Sequence, residues 1–176
     1  MGALAALASV TITSFLVIVL ARAVWHKVEA FLETVGFAQG YGLVPEAWAA
    51  PIVRGLILAE GAAVLMLLVP GTRPWGGMLA AGLFAGYGLL MATALMQGRR
   101  RIDCGCGGLP QLVSGFTLGR NAVLAALSLG VALLPAAALP GAGAAVAIAG
   151  ALVLVAIYTI IERLASHLPH IRQGDL

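Results

Sequence analysis

The sequence predicts an all-α integral membrane protein, a helical bundle of about five transmembrane helices with a four-helix core plus one. Three observations carry that class. Charged residues make up only 10% of the chain, against roughly 25% in soluble domains. Hydrophobic residues make up 61%, and the mean hydropathy is +1.04. The apolar residues fall in long continuous runs rather than in alternation, which argues for helices and against a membrane barrel. At 176 residues the chain is too short for a membrane domain plus a soluble one. Residues 1–176 are therefore read as a single transmembrane domain.

A helix crosses the hydrocarbon core with about 20 apolar residues. The first such run goes from about Val10 to Val24, with an apolar lead-in from Ala3. It lacks an early positive region and a small-residue cleavage site followed by a soluble domain, so it is expected to be a retained helix. The second run goes from about Ile52 to Val69, and the third from about Trp75 to Leu95, after the hinge PGTRP (70–74). The fourth goes from about Phe116 to Leu134, and the fifth from about Gly141 to Ile161, after LPAAALPG (134–141). Small residues recur in AAGLFAGYG (80–88) and GAGAAVAIAGA (141–151), and such residues let helix backbones approach closely.

Two linkers stand out. Residues 25–51 contain KVEAFLETVGF (27–37), amphipathic enough for an interfacial helix. Trp25, Tyr41 and Trp48 suit the headgroup boundary. Residues 98–115 contain RRRIDCGCGG (99–108), with both cysteines of the chain.

The isoelectric point of about 9.3 reflects a small excess of arginine. No basic patch is interleaved with aromatics, so nucleic acid is not an expected partner; the lipid bilayer is. Alternation of five spans puts residues 25–51, 98–115 and the C-terminal tail on one side. That side carries Lys27, Arg99, Arg100, Arg101, Arg163 and Arg172, with Arg22, Arg54 and Arg120 near its edge, while Arg73 stands on the other. The positive-inside rule then makes the cysteine side cytoplasmic.

Charge within the spans is costly, which usually means a partner or a role. Glu60 lies mid-way along the second run, in LILAEGAAVL (56–65). A structural pair with a cation of the first helix, most naturally Arg22, is one reading; proton handling beside a redox centre is the other. His26, at the headgroup boundary, is either a polar cap or a base.

Cys104 and Cys106 carry the most chemistry. Glycine between and after them gives the backbone freedom that a ring closed between such near neighbours would need. A disulfide across one residue meets the distance requirement but strains the torsion, and a strained, exposed disulfide exchanges easily. Positive charge at Arg101 and its neighbours favours the thiolate, the reactive form. Three readings stay open: thiol–disulfide exchange, a metal site, and inert residues. Two thiolates without further ligands rarely hold zinc, and an iron–sulfur cluster needs about four cysteines.

In order along the chain stand His26–Lys27, Tyr-Gly-Leu-Val-Pro (41–45), Glu60, and the arginine-rich Ile-Asp-Cys-Gly-Cys-Gly-Gly element ending at residue 108. This series resembles the MauE family of methylamine utilisation membrane proteins, within the broader DoxX-like group, over roughly residues 15–135. The resemblance implies a multi-pass protein of the bacterial inner membrane that helps to make or mature methylamine dehydrogenase. The small subunit of that periplasmic enzyme has many disulfides and a tryptophan-derived quinone. The resemblance further implies a thioredoxin-like partner of the MauD type, with the dehydrogenase small subunit as client. The expected site is the redox pair Cys104 and Cys106, supported by Arg101, Asp103, Glu60, Arg22, His26 and Tyr41. No cofactor is expected; a quinone is admissible, although no motif supports it. The competing functions are a non-enzymatic scaffold or chaperone for the same partner, and a transporter of a small solute or metal.

Overall fold

The computed structural model describes residues 2–98, 113–134 and 139–173, with side chains as far as Ser166. These residues form α1 (Ala3–Glu29), α2 (Phe31–Gly40), α3 (Glu46–Leu68), α4 (Arg73–Met96), α5 (Gly115–Leu133) and α6 (Gly141–Gln173), and no strand. Among them, α1, α3, α4, α5 and the stretch Gly141–Ser166 of α6 are long and apolar enough to cross a membrane. The five expected spans are all present.

Contacts fix the alternation. Thr11 of α1 meets Gly150 near the start of α6, and Arg22 later in α1 bonds Glu162 later in α6, so these helices run parallel. Arg73 at the start of α4 donates to the carbonyls of Leu134 (2.9 Å) and Val131 (3.4 Å) at the end of α5, so those two run antiparallel. The cation sits on the carbonyl-rich end of α5, where both its charge and its donors are useful.

The boundaries differ from the apolar runs in one instructive place. α1 does not stop at Val24 but continues to Glu29, because Arg22 and Lys27 find partners inside the bundle. The helix expected over 27–37 therefore starts later. The chain breaks at Ala30, whose N–H bonds the His26 carbonyl, and α2 runs Phe31–Gly40. α2 lies against α3, with the Arg54 guanidinium 5.6 Å from the centre of the Phe31 ring. Gly42 then turns with φ of 63°, a left-handed value that glycine adopts without penalty.

The core gathers Leu16 and Leu20 of α1, Leu67 of α3, Phe84 of α4, Leu124 of α5 and Ala151 of α6. Many large apolar side chains, such as Leu58, Leu89 and Ile160, stay exposed, as expected where lipid is the solvent. With lipid outside, tight packing holds helices together. α4 shows how it is reached. A Cβ on Gly76 would lie 2.8 Å from the Leu67 nitrogen of α3, and one on Gly77 would lie 2.8 Å from the Ser128 oxygen of α5. Consecutive glycines thus let α4 touch a different neighbour on each side.

Candidate functional site

Three helices converge on Glu60. α3 carries the carboxylate, completely buried. The last turn of α1 brings the Lys27 ammonium within 2.9 Å of Glu60 Oε1. Tyr87 of α4 donates its hydroxyl to the same oxygen at 2.6 Å. The ammonium also lies 5.3 Å from the centre of the Tyr87 ring, close enough for a cation–π contribution. Glu60 Oε2 is buried with no hydrogen-bond partner among the described residues. The result is an electrically neutral cluster with one acceptor oxygen in reserve.

The expected partner of Glu60, Arg22, is not there. Arg22 donates instead to Glu162 Oε2 of α6 at 3.0 Å, and Arg120 of α5 holds Glu162 Oε1 at 2.7 Å. The reason is helical phase. Arg22 and Lys27 are five residues apart, which places them about 140° apart around α1. Lys27 therefore faces α3 while Arg22 faces α6 and α5. His26 shares the turn with Lys27, but its buried Nδ1 has no partner among the described residues, so it does not join the Glu60 cluster.

The two arms on Glu162 differ in exposure, 8% for the Arg120 side chain and 36% for Arg22. Exposed pairs contribute little, and buried ones cost much to break from one side. Arg120→Met is therefore expected to destabilise the protein by about 1–3 kcal/mol and Arg22→Met by under about 1 kcal/mol. Thermal unfolding in detergent checks the ranking, and equal losses would contradict it.

Beside Lys27 lies a cavity of about 80 Å³ between α2, α3 and α4, lined by Thr34, Tyr41, Tyr87, Leu90 and Met91 among others. Tyr41 is buried against Met91 and Ala94 of α4 and Val113 just before α5. These contacts hold Tyr41 beside both flanks of the segment that carries the cysteines. A reciprocal cap follows: Ser114 Oγ accepts from the Thr117 N–H and Thr117 Oγ1 accepts from the Ser114 N–H, fixing the start of α5. Cys104, Cys106, Arg101 and Asp103, like Arg99 and Arg100, lie outside the described residues.

Glu60 does pair with a cation of the first helix, but with Lys27 rather than Arg22; Tyr87, Arg120 and Glu162 were not expected as partners. Tyr87 gave a faint signal, as a hydroxyl in the middle of a Gly/Ala-rich span. Glu162 stands just after the last apolar run, where nothing in the sequence marks it as a partner.

Comparison with known families bears on this arrangement. The model for the methylamine utilisation protein MauE matches residues 4–135. The chain belongs to the MauE family. The match includes Lys27, Glu60, Tyr87 and both cysteines, and it ends before α6. The MauE of Paracoccus versutus is 33% identical over 130 residues, which is 73% of this chain and 70% of that protein. The MauE of Methylorubrum extorquens is 36% identical over 135 residues, 75% of this chain and 72% of that protein. The MauE of Methylophilus methylotrophus is 35% identical over 124 residues, 69% of this chain and 65% of that protein. No solved structure matches this MauE-family chain.

Proposed function

We propose that the protein serves methylamine utilisation as a thiol–disulfide redox protein of the bacterial inner membrane. In this reading it works with a thioredoxin-like, MauD-type partner to support disulfide formation in the small subunit of methylamine dehydrogenase. One observation carries the chemistry: the only two cysteines of the chain stand one glycine apart beside three arginines, in the segment joining α4 to α5. Family membership supports the pathway.

The reaction is exchange. One thiolate attacks a disulfide of the partner, forming a mixed disulfide and releasing one partner thiolate. The second cysteine attacks that mixed disulfide, closes the Cys104–Cys106 bond and releases the reduced partner. The reverse sequence oxidises the partner. In this reading Arg101 favours the attacking thiolate through its charge, Asp103 is the neighbour of Cys104 in sequence, and Tyr41 packs at the flanks of the segment, against Ala94 and Val113.

Serine substitution tests this. Cys104→Ser and Cys106→Ser each remove one half of the exchange, so one of them is expected to hold the partner as a reducible adduct. Mass spectrometry of the unreduced parent is expected to find the intrachain bond after mild oxidation. Partner binding without any adduct from either variant would favour the scaffold reading and overturn exchange.

A further inference from the structure

The cavity beside Lys27 adjoins a second, more open groove. This groove, of about 560 Å³, runs along α4 and shares Leu43, Leu56, Tyr87 and Leu90 with the cavity. Gly82 and Gly86 lie in that groove, and a Cβ on either would meet no atom within 4 Å. The groove is otherwise lined by apolar residues such as Met78, Leu83 and Leu89, with Thr93 the polar exception. An apolar groove on a helix apolar enough to cross a membrane thus adjoins a small chamber whose lining includes Lys27, Thr34, Tyr41 and Tyr87.

The chemistry of the chamber restricts what fits. Lys27 and Glu60 neutralise each other at 2.9 Å, so no net charge recruits a phosphate. Both side chains are buried among span-forming helices, Lys27 at 1% and Glu60 at 0% exposure, so neither presents an exposed charge to an ionic headgroup. An ammonium has three N–H donors, and one is directed to Glu60. The chamber therefore suits a neutral molecule with carbonyl acceptors on a flat ring, followed by a long apolar tail.

We infer that the groove and chamber bind an isoprenoid quinone, with its ring beside Lys27, Tyr41 and Tyr87 and its tail along Gly82 and Gly86. Quinones are neutral and dissolve in the hydrocarbon core, so they can enter an apolar groove on such a helix without the cost that an ionic head would incur. Such a ligand accounts for the electrons of the thiol chemistry: two thiols become one disulfide, and the two electrons and two protons released convert quinone to quinol. That transfer rests on the exchange reading above; the binding itself does not.

The test uses the full chain in phosphatidylcholine nanodiscs and a photoactivatable, decyl-tailed benzoquinone. Label is expected on α4 and α2 peptides. The parent quinone is expected to displace it, and decylbenzene, which has the tail without the carbonyls, is not. Gly86→Leu projects a side chain into the groove from a position where a Cβ meets no protein atom within 4 Å. It should leave melting unchanged while weakening binding by about tenfold or more, the cost of forcing extra volume into a fitted site. Gly82→Leu is the second blocking variant should Gly86→Leu fail to fold. Gly119→Leu, on α5 where a Cβ also meets nothing within 4 Å, should bind like the parent. Equal competition by decylbenzene, or unchanged binding in the folded groove-blocking variant, overturns the proposal. The same measurement in the Cys104→Ser/Cys106→Ser double variant separates the two readings, since quinone binding should persist there with no exchange.

Discussion

Lys27→Met is expected to lower the stability of the folded bundle by about 3–5 kcal/mol, the range for breaking a buried ion pair from one side. The side chains of Lys27 and Glu60 are 2% and 1% exposed. Removing the ammonium leaves a carboxylate in an apolar interior, with the Tyr87 hydroxyl still donating to Oε1 and Oε2 unpartnered among the described residues. Replacing both partners, as in Lys27→Met/Glu60→Leu, removes the stranded charge together with its counter-charge. Much of the loss should therefore be recovered. Unfolding of the three proteins in one detergent compares them. A double variant as unstable as the single, or a single variant indistinguishable from the parent, would show that the pair is not the junction of α1 and α3.

The second large effect belongs to Gly77. A Cβ there would stand 2.8 Å from the Ser128 oxygen, 2.9 Å from the Ala132 nitrogen and 3.0 Å from the Ala132 Cα. All three are backbone atoms, which cannot rotate away, so α4 and α5 must separate. Gly77→Ala is expected to cost about 1–3 kcal/mol by overpacking, and Gly77→Val more. Gly82→Ala, on the same helix in open space, is expected to be neutral or to stabilise by up to about 1 kcal/mol through helix propensity. The comparison controls for composition, because both changes replace glycine by alanine within α4. Matching melting temperatures for the two variants would remove close approach as the explanation.

The helices were legible because hydrophobic length is a one-dimensional property, and all five spans follow from it. Where α1 ends was not. The apolar run stops at Val24, but Arg22 and Lys27 are satisfied by Glu162 of α6 and Glu60 of α3, and those neighbours cannot be read from a local window. The burial of Glu60 was legible from its position; its partner was not, because choosing between Arg22 and Lys27 requires the rotation of α1 against two other helices. The break at Ala30 had no local signature of the Gly or Pro kind. The cysteine pair, the most explicit chemical signal in the chain, stands outside the described residues, so its geometry adds nothing to what its spacing already said.

α4 is also a ruler. It touches α5 at Gly77 and hydrogen-bonds Glu60 from Tyr87, ten positions later. On a helix those positions are about 15 Å and nearly three turns apart. A single residue inserted between them would swing Tyr87 by about 100° and advance it by about 1.5 Å, pointing its hydroxyl away from Glu60. The hydropathy of the span would hardly change. What joins the tight seam of this bundle to its polar centre is therefore a count of residues.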